Sequence, residues 1–202
     1  MKSQIHIFIF FLLSHFFAFS QDQKCILYFN DETSIEGFGN LEVKGMLDPI
    51  DKIKFRLTKE EEGDYWDFED VSRITFIGFE FNKTFEYVKT STLDKPKLLE
   101  LLVEGQVNLY RDIDYVAGQI FFQKNSTFPT IIGDRETTKH YLIRETEEIA
   151  TCIDCSILKS WAKNIANYLA DCDTLVRDLK YHKYRFDELE DVIIYYNDIC
   201  VD

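Results

Sequence analysis

The residues with the clearest chemical potential are sulfurs: Cys152, Cys155, Cys172 and Cys200, with Cys25 a fifth. Cys152-Ile153-Asp154-Cys155 is a C-x-x-C motif, and the apolar period downstream predicts that it opens a helix, where the dipole lowers a thiol's pKa and favours thiol–disulfide exchange. Asp154 between the sulfurs opposes thiolate formation, and the upstream pattern lacks the βαβ unit of a thioredoxin-like site. A structural bond, between these two or from one of them to Cys25, is therefore expected in preference to redox catalysis. Cys172 and Cys200 each close an apolar helical stripe, and packing the stripes together brings the pair within disulfide reach. Five is an odd number, so at least one cysteine stays unpaired or pairs with another chain.

Other chemistry is thinner. A thiolate metal site wants two paired elements, and there is one C-x-x-C. His140 and His182 read as strand or surface residues rather than ligands or general bases. Asp112 and Asp114 flank Ile113 and would share one strand face, as glycosidase acids can, but in an acidic chain a solvated turn is the expected setting. They also lack the glycine-bounded loop of a calcium site. No nucleophile elbow, zincin helix, P-loop or dinucleotide fingerprint is present. No catalytic, metal-binding or cofactor-binding residue is assigned. The sequons at Asn82 and Asn125 matter only in a eukaryotic secretory pathway.

Reading these cysteines as staples depends on address. Residues 1–20 have the tripartite form of a secretory signal: Lys2 at the start, an apolar run through Phe19, and small Ala18 and Ser20 before a cut ahead of Gln21. Ser14 and His15 interrupt the run, which is too short for a bilayer span. Export would deliver all five cysteines to a compartment where disulfides persist, secreted or periplasmic. Removing the leader takes away only Lys2, so the net charge moves from −13 to −14. Such acidity is unsuited to phosphate backbones or anionic lipid surfaces, so no nucleic acid partner is expected, acidic lipid is a poor candidate, and no membrane span is expected after signal cleavage.

About 180 residues remain, enough for one domain with a sizeable core. Residues 21–150 alternate β-rich runs with turn residues, giving eight or nine strands: Cys25–Phe29, Thr33–Val43, Lys52–Thr58, Arg73–Phe81, Thr84–Thr90, Leu98–Val103, Val107–Arg111, Gln119–Lys124 and Lys139–Arg144. The Arg73–Phe81 run carries apolar groups on both faces and is expected to be the most buried. Leu98–Val103 fits a short helix or a strand; Glu104-Gly105 favours a hairpin, and the strand reading is taken. Residues 151–202 change to a helical period along Ile157, Leu158, Trp161, Ile165, Leu169 and Cys172, then Leu175, Val176 and Leu179, then Leu189, Val192, Ile193, Tyr196 and Cys200. The expected fold is α+β: a mostly antiparallel sheet or partly closed barrel, followed by a C-terminal cap of two to three helices packed on it.

The signal ending in Phe19-Ser20-Gln21, the strand pair Leu98-Leu99-Glu100-Leu101-Leu102-Val103-Glu104-Gly105-Gln106-Val107-Asn108-Leu109-Tyr110, the Asp171-Cys172 dipeptide and the closing Tyr196-Asn197-Asp198-Ile199-Cys200 together resemble a group of uncharacterised secreted proteins from Bacteroidota. That group often has proline after the first of these cysteines, where Asp173 stands here. The resemblance implies an exported protein with a β-rich N-terminal part and a helical tail, and no reaction. The function expected is a non-catalytic secreted or periplasmic module for a protein, peptide or envelope glycan. The alternative is a secreted enzyme, either a carboxylate-dependent hydrolase or a thiol–disulfide protein using Cys152 and Cys155.

Overall fold

A computed structural model describes residues 22–42, 52–78, 82–116, 119–121, 130–132, 135–156 and 160–201. The proposed leader, residues 1–20, lies outside the described residues, as do Phe79, Phe81, Asn125, Pro129, Gly133, Ile157 and Leu158. The strands are β1 (Gln23–Phe29), β2 (Ser34–Glu42), β3 (Lys52–Arg56), β4 (Asp64–Trp66), β5 (Val71–Ile77), β6 (Asn82–Val88), β7 (Lys97–Val103), β8 (Val107–Val116), β9 (Gln119–Phe121), β10 (Thr130–Ile132), β11 (Arg135–Arg144) and β12 (Thr151–Cys152). The helices are α1 (Trp161–Tyr168), α2 (Asp173–Lys180) and α3 (Leu189–Tyr195), with a 3₁₀ turn before α3 and a π-helical turn, Tyr196–Cys200, after it.

Ten strands form one open antiparallel sheet in the order β12-β11-β8-β7-β6-β5-β1-β2-β3-β4, and β9 and β10 pair separately. The α+β expectation holds, with an open sheet rather than a barrel. Leu98–Val103 is strand β7, paired with both β6 and β8, because its alternation places Leu98 on one face and Leu99 on the other. The Arg73–Phe81 run is not the most buried strand in its described part: β5 buries Val71, Ile74 and Phe76, with part-exposed residues between. It is β7 that buries neighbours on both faces, Leu98, Leu99 and Glu100: Leu98 packs into the cluster of Cys25, Leu27 and Ile74, and Leu99 on the other face into that of Tyr110, Tyr141 and Ala150.

Following the register from Leu142 to Leu109 and from Glu100 through Phe85 and Ile74 to Leu27 keeps to one face. That face carries two apolar clusters. One joins Val103, Val107, Leu109 and Leu142 to Ile165, Leu169, Leu175, Leu179, Val192, Ile193 and Tyr196 of the helices. The other is made by strands alone: Cys25, Leu27, Ile53 and Ile74, fully buried under aromatic neighbours such as Phe29, Trp66 and Phe85. These apolar burials are the main source of stability.

Cys25 is the unpaired cysteine and has no access to solvent. Burial, with a smaller contribution from the Asp22 charge, pushes its thiol from 9.0 up to about 12. A neutral thiol in the folded state favours folding below the unfolded pKa, and that stabilisation is lost as pH rises from about 9 towards about 12. Alkylating reagent at pH 8 is expected to leave Cys25 unmodified in the native protein and to label it once the chain is denatured. Mass spectrometry reads both states, and labelling of the native thiol would contradict its burial.

Candidate functional site

The four remaining cysteines form two bonded pairs. Cys152–Cys155 has its Cα atoms 5.7 Å apart, and Cys172–Cys200 5.6 Å apart. Neither bond uses Cys25.

The C-x-x-C does not open a helix. Cys152 ends the two-residue edge strand β12, opposite Tyr141, and α1 begins only at Trp161. The unpaired edge of β11 outcompetes the helical period here: the Ile153 N–H donates to the His140 carbonyl at 3.0 Å, and the Asp154 Oδ1 accepts the His140 N–H at 2.8 Å. A side-chain carboxylate thus continues the ladder where the backbone turns away. The dipole argument for an activated thiol falls with the helix. Asp154 also accepts from His140 Nδ1 at 2.7 Å, since a carboxylate offers no proton of its own. The His140 ring is buried on β11 and stands edge-on to Phe186, which in turn meets Trp161 edge-on. Cys152 Sγ lies 3.6 Å from Asp154 Oδ1, and Cys155, the exposed member of the pair, lies 3.9 Å from the Tyr141 hydroxyl. The loop is gripped from the other side by Asn164, whose amide donates to the Ile153 carbonyl at 2.7 Å.

The second bond closes a helical clamp. Within Tyr196-Asn197-Asp198-Ile199-Cys200 each key residue has a separate task. The Tyr196 hydroxyl accepts from Arg144 and donates to Asp171, both at 2.7 Å. Asn197 makes two bonds to one residue of β8, accepting the Val107 N–H at 2.9 Å and donating to the Val107 carbonyl at 3.0 Å. Gly105 is required beside it, because a Cβ there would stand 2.3 Å from the Asn197 amide nitrogen. Arg144 packs its guanidinium over the rings of Tyr168 and Tyr196. Burial opposes ionisation of Asp171, but the Tyr196 bond and the Arg144 charge hold its carboxyl below the ordinary range. Burial and the bond to Glu147 push the Tyr168 phenol up. These groups hold the tail and leave no free acid or base.

Of the two carboxylates singled out for hydrolysis, Asp112 is already paired. Asp112 and Asp114 lie in β8, not in a solvated turn, because the hairpin carries that strand on to Val116. Asp112 is buried and paired with Lys97 at 2.9 Å. Glu100, which sequence reasoning passed over, is buried with one oxygen on Lys83 at 3.3 Å and the other bridged by Arg111 at 2.7 and 3.1 Å. Two cations thus occupy both oxygens of this carboxylate. His182 sits at φ 54, a strained turn position for a residue with a side chain.

A hollow with aromatic and acidic lining lies at the other end of the sheet. A cavity of about 410 Å³ is bounded by Phe29, Ile35, Phe55 and Trp66, with Glu61 and Glu62 among its polar residues. Its rim is built rather than loose. Glu61 caps the N–H groups of Leu57 and Thr58, Arg56 holds the carbonyls of Lys59 and Glu61, and Gly63 turns at φ 82. The Trp66 ring is set edge-on to Phe29 at 5.3 Å, and its indole N–H is buried without a hydrogen-bond partner among the described residues. A buried donor left unpaired costs about 1–3 kcal/mol. The sequence showed the acidic run here but not β4, whose three residues carry no alternation long enough to detect.

No family model matches the chain, and comparisons with curated proteins and with solved structures find no match either.

Proposed function

We propose that this chain is an exported, non-catalytic binding domain, secreted or periplasmic, that takes a peptide, protein or envelope glycan at the hollow lined by Phe29, Phe55 and Trp66. The observation that carries the reading is the indole N–H of Trp66, buried among aromatic faces and without a partner among the described residues. Aromatic rings with a few convergent polar groups are the usual composition of a ligand site. The pairing of Asp112, Glu100 and Asp171 with cations weighs against a hydrolase.

Support for export is the leader pattern of residues 1–20 together with the two bonded cysteine pairs, which belong to an oxidising compartment. No described helix is long and apolar enough to cross a membrane. The mature N-terminus is expected at Gln21, and intact-mass measurement of exported protein tests it.

Two tryptophans report ligand binding, Trp66 and Trp161. With Trp161→Phe as background, titration with envelope glycan fragments and with a peptide library is expected to change the remaining fluorescence. Trp66→Phe keeps an aromatic ring and removes the donor, and calorimetric titration of this variant should show binding about tenfold weaker, the loss of roughly 1.4 kcal/mol. Full affinity in Trp66→Phe, or no ligand in either library, would overturn the reading.

A further inference from the structure

We propose that the Cys152-Ile153-Asp154-Cys155 loop, once its disulfide is reduced, is a binding site for a soft divalent cation such as Zn²⁺, with Cys152, Cys155 and Asp154 as its protein ligands. The two sulfurs and an Asp154 oxygen all lie within 4.8 Å of one another. Tetrahedral zinc with Zn–S bonds of about 2.3 Å needs its sulfurs roughly 3.8 Å apart, a short opening from the bonded state that a C-x-x-C loop supplies.

Three features make the site preformed. The loop backbone is fixed independently of the disulfide, by Ile153 to His140 on the strand side and by Asn164 to Ile153 on the helix side. Asp154 is aimed: both bonds from His140 hold its carboxylate 3.6 Å from the Cys152 sulfur. A histidine that orients a ligating carboxylate is the kind of outer-shell support that metal sites use. Cys155 is exposed, so a cation can enter and a water or outside ligand can take the fourth position.

Electrostatics point the same way. Two thiolates beside a carboxylate repel one another. The disulfide removes that repulsion by eliminating both thiolates, and a divalent cation removes it by neutralising them. Opening the bond takes two electrons and two protons from a dithiol reductant, which leaves as its own disulfide. The cation then displaces the two thiol protons. A disulfide oxidant that accepts two electrons from the bound thiolates, takes up two protons and leaves as its dithiol reforms the S–S bond and expels the cation.

The test uses the whole protein, reduced with a phosphine and exchanged into anaerobic buffer, then titrated with Zn²⁺ against a chromophoric chelator and with Co²⁺ for the visible bands of a tetrahedral thiolate site. The reduced protein is expected to bind one ion, and the oxidised protein none. Asp154→Asn should weaken binding by about tenfold or more, and Cys155→Ser should abolish the Co²⁺ thiolate bands. The double variant Cys152→Ser with Cys155→Ser, reduced alike, measures any contribution from Cys25, Cys172 and Cys200. Binding by that variant equal to wild type, binding by the oxidised protein, or indifference to Asp154→Asn would each overturn the assignment.

Discussion

Replacing Cys172 and Cys200 together by serine is expected to lower the melting temperature by roughly 7–14 °C, about 3.5 kcal/mol at about 2–4 °C per kcal/mol for a chain of this size. The bond spans 28 positions, so its removal restores to the unfolded chain a large loop's worth of freedom. Cys152–Cys155 spans three and, on the same chain-entropy reasoning, is worth only about 2 kcal/mol. Thermal melts of both serine pairs by circular dichroism rank them directly. Equal losses would mean that the longer bond acts through something other than loop closure, and no loss would mean that the tail is held by its hydrogen bonds alone.

The second large effect concerns Gly105 and Asn197. Asn197→Ala is expected to destabilise by about 2–4 kcal/mol, because it removes two hydrogen bonds and strands the N–H and carbonyl of the fully buried Val107. Gly105→Ala should cost a similar amount, since its methyl group drives the same amide out of place. Both substitutions damage one contact, so the double variant should be scarcely worse than either single one, a coupling of about 2 kcal/mol in a denaturant-based cycle. Simple addition of the two losses would show that Gly105 matters for its own turn and not for the clamp.

Much of this architecture was legible beforehand. Alternation placed β1, β5, β6 and β7, and the change of period after Thr151 placed the helices, because a buried face leaves a repeating imprint on the chain. The pairing of Cys172 with Cys200 followed from two stripes that had to meet. What escaped notice is short or non-local. β12 has two residues and no period, so the C-x-x-C was attached to the helix that follows rather than to the edge of β11. Asp154 was read as a charge that spoils a thiol, whereas its main task is to receive the backbone N–H and ring of His140, 14 positions earlier. Asp112 looked solvated because nothing in its neighbourhood announces Lys97 across the hairpin. The hollow was invisible, since Phe29, Phe55 and Trp66 meet only when β1, β3 and β4 are laid side by side.

The bond from Asn197 back to Val107 reaches across 90 positions. A growing or threading chain can zip β1 to β7 from neighbours already made, yet the apolar side of Val103, Val107 and Leu109 stays uncovered until the segment through Cys200 has arrived. Truncated products that stop short of Tyr196 would therefore present a sticky, half-roofed sheet, and delivery of that final segment is the event that turns an aggregation hazard into a finished protein.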